Sequence, residues 1–179
     1  MKRIATFVFA AALGPTILAA QTPKASLNPV SDTVREMRAR ESKNLIGSAE
    51  LMPADKYAYH PTPEQMTFGQ LIVHIVQTNV VLCSLIGDIP VTEPPKLSNT
   101  DSKETLVKAI TDSFATCTGA LAKINDAQLG DDVTMGGRTV GSRGMALVTI
   151  AADWADHYST AASYLRLNGI LPPTAQPGK

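Results

Sequence analysis

TFGQLIVHIVQTNVVLCSLIG, residues 67–87, opens with Thr67 three positions ahead of Gln70 and closes on Gly87. That opening spacing is a capping box, in which two side chains satisfy backbone N–H groups that a helix start leaves orphaned. The closing glycine suits a helix end. Between them Phe68, Leu71, Ile75, Leu82 and Ile86 fall at steps of three, four and seven residues, the stripe of a helix buried along one side.

The flanking sequence repeats this pattern three times. From Asp32 to Met52, Val34, Met37, Leu45, Ala49 and Met52 mark a first amphipathic helix whose polar face carries Arg35, Arg38, Glu41 and Lys43. A connector with Pro53, Pro61 and Pro63 separates it from the second. A third helix starts with Asp101 three before Glu104 and buries Leu106, Ile110, Phe114, Cys117, Leu121 and Ile124. A fourth runs from about Ser142 to Asn168, where Gly169 can take the left-handed stop and Pro172 and Pro173 forbid continuation. Four helices with almost no strand pattern predict an all-α four-helix bundle over residues 31–173. DDVTMGGRTVG, residues 131–141, allows a hairpin-like turn at Gly136 and Gly137. Those glycines lack the strand-to-helix context of a phosphate loop.

The stretch from Gly87 to Thr100 is too long for a tight antiparallel turn. Its fourteen residues reach at most about 50 Å, whereas a twenty-residue helix is about 30 Å long, so it can cross the bundle and leave helices two and three parallel. Cys83 and Cys117 lie at similar depths in those helices and share a height only in that arrangement. Two readings of the pair stand open: a disulfide adding about 3 to 4 kcal/mol, or two small buried apolar side chains.

Of 179 residues, 44% are hydrophobic and 18% charged, with 16 basic and 16 acidic side chains, the profile of one soluble domain with no electrostatic footprint for nucleic acid. Residues 1–20 place Lys2 and Arg3 before an apolar run ending in small residues, which predicts a secretory signal peptide. Gly14 and Pro15 break that run short of the roughly 20 residues of a membrane span. No cysteine marks a lipoprotein. The expected mature chain, beginning near Gln21, carries 14 basic and 16 acidic residues and no stable membrane anchor. It has a flexible arm at 21–30 and a tail at 174–179, and the expected location is periplasmic or secreted.

Asp153 and His157 stand at i and i+4, on one face of the fourth helix, and His74 borders the apolar stripe of the second. Two imidazoles and a carboxylate suit a divalent cation with coordination positions left open. On periodicity alone the plainer reading is stronger, because an Asp and a His at this spacing are common on a solvated helix face. Asp156 points about 100° away from His157. His60, among prolines, reads as surface. Trp154 reads as a buried ring, and Tyr158 as packing.

PTPEQMTFGQLIVHI, residues 61–75, and DHYSTAASYLRLNGILPP, residues 156–173, resemble the DinB-like (DNA-damage-inducible B) family of bacterial four-helix bundles, over nearly all of the expected mature chain. The resemblance implies an up-down-down-up topology with a long crossover between helices two and three. It implies a divalent metal, zinc or nickel foremost and iron or manganese as alternatives, held by His74, Asp153 and His157. Asp153 stands where the family has the first His of a His-x-x-x-His pair. Tyr158, Ser159 and Thr160 replace the family's Arg-Gly-Gln. The implied activity is that of a metal-dependent hydrolase or transferase acting on a small molecule. Export disfavours a thiol-transferase version, because reduced low-molecular-weight thiols are scarce outside the cytosol. The alternatives are a non-catalytic metal-binding bundle and a structural, homodimerising bundle with a degenerate site.

Overall fold

The computed structural model describes residues 25–90 and 95–177. The expected signal peptide, residues 21–24 of the arm, 91–94 of the crossover and the last two residues lie outside them. Four helices dominate: α1 (Pro29–Leu51), α2 (Phe68–Ile86), α3 (Lys103–Leu121) and α4 (Arg143–Leu167). Each of α1 and α2 packs against both α3 and α4.

Directions follow from which ends meet. The Lys103 amine at the start of α3 reaches the Glu50 carbonyl near the end of α1, and Arg35 near the start of α1 donates to the Leu121 carbonyl at the end of α3. Tyr164 near the end of α4 donates to the Met66 carbonyl just ahead of α2, while Arg143 at the start of α4 donates to the Ile86 carbonyl at the end of α2. Cys83 and Cys117 form a disulfide with a Cα separation of 5.0 Å, and one turn earlier in both helices Asn79 donates to Ser113, so α2 and α3 run side by side in the same direction. The bundle is therefore up-down-down-up, with the crossover between α2 and α3.

Sequence explains most helix ends. Thr67 and Gln70 exchange both bonds of the capping box. Ser142 caps α4, and Gly169 takes φ 73° just past its end. Three local expectations needed correction. α3 is capped by Ser102, whose hydroxyl accepts from the Thr105 amide, while Asp101 turns back to accept from the Ser98 amide. α1 starts at Pro29 rather than Asp32, because proline at the first turn has its φ pre-set and lacks only an N–H that would be orphaned anyway. Glu41, expected on the polar face, is buried and accepts from Arg40 and Asn44.

Two short strands, β1 (Asp132–Met135) and β2 (Arg138–Ser142), pair antiparallel ahead of α4. Gly136 and Gly137 both have positive φ, as a two-residue hairpin turn of this hand requires. Val140 is an extra residue that bulges β2 and delivers the chain to the Ser142 cap.

The core is a stripe from every helix: Leu45 and Ala49, Ile72 and Ile75, Ile110 and Phe114, Ile150 and Trp154. Burying each such large side chain contributes about 1.5–3 kcal/mol. α2 is long and apolar enough to cross a membrane by composition. Its length is used here for packing between α3 and α4, and its stripe includes a fully buried Asn79.

Candidate metal centre

α2 and α4 are antiparallel neighbours, so residues in the first half of α2 meet residues around the middle of α4. His74 lies two turns beyond the Thr67 cap, and Asp153 and His157 lie one turn apart on α4. The structure brings all three together. The two imidazole rings are tilted by 37° with centroids 4.8 Å apart. One potential ligand atom from each residue lies within 4.8 Å of the other two, close enough to hold one metal ion.

Electrostatics and hydrogen bonding define the donor atoms. His157 Nδ1 lies 2.6 Å from the backbone carbonyl of Asp153. A carbonyl only accepts, so Nδ1 carries the proton, and neutral His157 offers its lone pair at Nε2. Asp153 Oδ2 is 3.4 Å from the same Nδ1. The Nδ1 proton is directed to the carbonyl, so at 3.4 Å this buried oxygen keeps a charge attraction to the imidazole but makes no short hydrogen bond. The Asp153 carboxylate raises the His157 pKa above its ordinary value; desolvation opposes this, while the Asp153 carbonyl and the charges of Asp153 and Asp156 reinforce it.

A buried carboxylate oxygen without a short hydrogen bond is costly, and the Asp153 carboxylate offers a hard donor atom within 4.8 Å of a nitrogen of each imidazole. Two histidines with one carboxylate suit zinc and the first-row divalent ions that accept mixed nitrogen and oxygen ligands. The residues present fit a divalent cation.

An open cleft of about 460 Å³ borders His74, between Gln70 and Gln77 on α2 and Leu97, Ser98 and Asn99 ahead of α3. Among the described residues lining it, His74 is the one ionisable side chain. Of the other residues singled out in the sequence, Asp156 is exposed. His60 is also exposed and pairs with the Thr62 carbonyl. Tyr158 shares a 2.6 Å hydrogen bond with Thr174. Trp154 is fully buried and packs on Phe114, with ring centroids 5.7 Å apart.

Sequence reasoning overlooked Asn79. The indole N–H of Trp154 donates to Asn79 Oδ1 at 2.7 Å, and Asn79 Nδ2 donates to the Ser113 hydroxyl at 3.0 Å. The available signal was a polar residue at a stripe position, between Val76 and Cys83.

A four-helix bundle with a His/Asp/His cluster between its second and fourth helices defines a class of small helical proteins able to hold a metal. The sequence profile of the DinB superfamily matches residues 38–161, and the chain belongs to that superfamily. Two solved structures share its fold. A DinB-like protein from Bacillus subtilis aligns with a TM-score of 0.63 at 19% identity, over 81% of this chain and 99% of that one. A DinB-like protein from Bacillus cereus aligns with a TM-score of 0.64 at 17% identity, over 79% of this chain and 95% of that one. No curated protein matches the chain.

Proposed function

We propose that the mature protein is an exported, periplasmic or secreted protein that binds one divalent metal ion through His74, Asp153 and His157. We further propose that it is a metal-dependent hydrolase or transferase acting on a small molecule in the cleft beside His74. The observation that carries this reading is the buried, unpartnered Asp153 oxygen beside two imidazoles. Asp153 would offset one of the two positive charges, and the carbonyl bond at Nδ1 presents Nε2 of His157 as the donor. A bound divalent ion would supply Lewis acidity toward a carbonyl or phosphoryl oxygen, or lower the pKa of water or a thiol. Three protein ligands leave room for such a group.

The cleft favours a second reading. Its described lining offers no ionisable side chain besides His74 to move a proton, which suits a metal-binding bundle without catalysis.

Metal content by plasma mass spectrometry, on mature protein purified without a metal-binding tag, tests both. The expected result is about one zinc, nickel, iron or manganese per chain, lost in His74→Ala, His157→Ala and Asp153→Ala. Unchanged stoichiometry in all three variants refutes the ligand set. Turnover of neutral ester, amide or phosphoester substrates by the loaded protein, and its loss in Asp153→Ala, separates the enzymatic reading from the non-catalytic one.

A further inference from the structure

α2 and α3 are joined covalently through Cys83 and Cys117. α2 and α4, which carry the proposed ligands, are not. Apolar contacts between them set the register weakly, because a stripe of Ile, Val and Leu meets much the same surface after a slip of one turn. The other hydrogen bonds that tie α4 to α2 or its flank among the described residues lie away from the centre: Arg143 to the Ile86 carbonyl, more than three turns from His74, and Tyr164 to the Met66 carbonyl, about two turns before it.

At mid-height the interface is specified by polar atoms. Asn79 and Trp154 are both fully buried, and Ser113 nearly so. Asn79 accepts from Trp154 with Oδ1 and donates to Ser113 with Nδ2, and the Ser113 hydroxyl donates a hydrogen bond to the Ile110 carbonyl. Sliding α4 by one turn, about 5.4 Å, would strand the indole N–H and the amide oxygen away from water. A single buried polar pair of this kind tolerates one register and disfavours its neighbours.

The proposed ligands sit on the same two segments. His74 is five residues before Asn79, Asp153 immediately precedes Trp154, and His157 follows it by three. A one-turn slip exceeds the 4.8 Å within which the ligand atoms now lie. The register that satisfies Asn79 is therefore the register that assembles the cluster.

We infer that Asn79 is a positioning residue for the centre: through Trp154 it holds α4 so that Asp153 and His157 meet His74, while Ser113 and the disulfide hold it to α3. Its metal readout rests on the reading of the cluster as a metal site; its geometric readout does not. The test uses Asn79→Leu, similar in size but unable to make either bond, in the full mature chain. The first measurement, on metal-free protein, is the nuclear Overhauser cross-peak between the His74 and His157 ring protons. The second is cobalt(II) titration followed by visible absorption.

Loss of the cross-peak, with helical circular dichroism retained, is expected, together with about a tenfold or greater loss of cobalt affinity and an altered absorption band. Ile124→Ala, destabilising at the far end of the bundle, is expected to leave both readouts unchanged, which a merely structural role of Asn79 would not distinguish. If Asn79→Leu does not fold, Trp154→Phe removes the indole N–H together with the volume of one ring and is expected to shift both readouts in the same direction, by more than Phe114→Leu, which opens space beside the same ring without touching the Asn79 bond. A wild-type cross-peak and affinity in the folded variant overturns the inference. Failure of the parent protein to take up cobalt overturns the metal reading alone, because the cross-peak still reports on Asn79.

Discussion

Reduction of the Cys83–Cys117 bridge measures how much of this bundle's stability comes from its parallel pair. The bridge joins positions 34 residues apart. Removing that constraint returns chain entropy to the unfolded state, about 4 kcal/mol for a loop of this length. For a domain of 150–250 residues each kcal/mol moves the melting temperature by about 2–4 °C, so reduction should lower it by about 8–16 °C. Both cysteines are fully buried, and the reduced thiols occupy nearly the same volume. The comparison therefore changes side-chain volume less than a cysteine-to-alanine variant would, although the two sulfurs, bonded in the oxidised protein, must move apart to van der Waals contact. Far-UV circular dichroism melts of oxidised protein and of protein reduced with a phosphine give the shift. Thiol titration of the unreduced, denatured chain gives the starting state. Two free thiols there, or a shift below about 3 °C, would refute the argument.

Acid should weaken the N-terminal end of α1. Asp126 loses some hydration there, but the Ser31 hydroxyl and the Val30 and Ser31 amides donate to it, and Arg35 adds its charge, so its pKa falls below the ordinary value. A carboxyl with a depressed folded pKa adds stability above its unfolded pKa of about 3.9 and loses it as the pH falls through the folded value. Asp126→Asn should therefore unfold at lower urea than the parent at pH 6, with the gap closing below about pH 4; a gap independent of pH would contradict this. At the same end of the bundle, where α2 and α3 finish, a Cβ on Gly87 would lie 2.7 Å from the Ala120 Cβ and 2.8 Å from its Cα. Gly87→Ala should cost about 1–3 kcal/mol in urea unfolding. Ala120→Gly should cost less in the Gly87→Ala background than in the parent, and strictly additive losses would show that the Cβ approach is not the cause.

Much of this molecule was legible in one dimension. Helical stripes, the Thr67 and Gln70 cap, the Ser142 start and the Gly169 stop depend on neighbours three or four residues away, so local spacing encodes them. The length of the crossover and the matched depths of Cys83 and Cys117 carried the parallel pair for the same reason. His74, Asp153 and His157 could be nominated as residues of the right chemistry on the right faces, but whether those faces meet depends on how α4 lies against α2. Periodicity alone favoured the plainer reading. The remaining features involve partners far apart in the chain. Asp126 accepts from the first-turn amides of α1 from 95 residues away, a tertiary cap on a start that Pro29 sets locally. Glu41 is the exception: its partners Arg40 and Asn44 are one and three residues away, but its charge pointed to the polar face and only the packing of α1 shows it buried. Asn79 looks like a flaw in an apolar stripe until Trp154 and Ser113 are placed around it. A hydrophobic pattern states which side of each helix turns inward; the register between helices, and with it the donor cluster, is decided only when buried polar atoms from distant segments find one another, because no water is there to take their place.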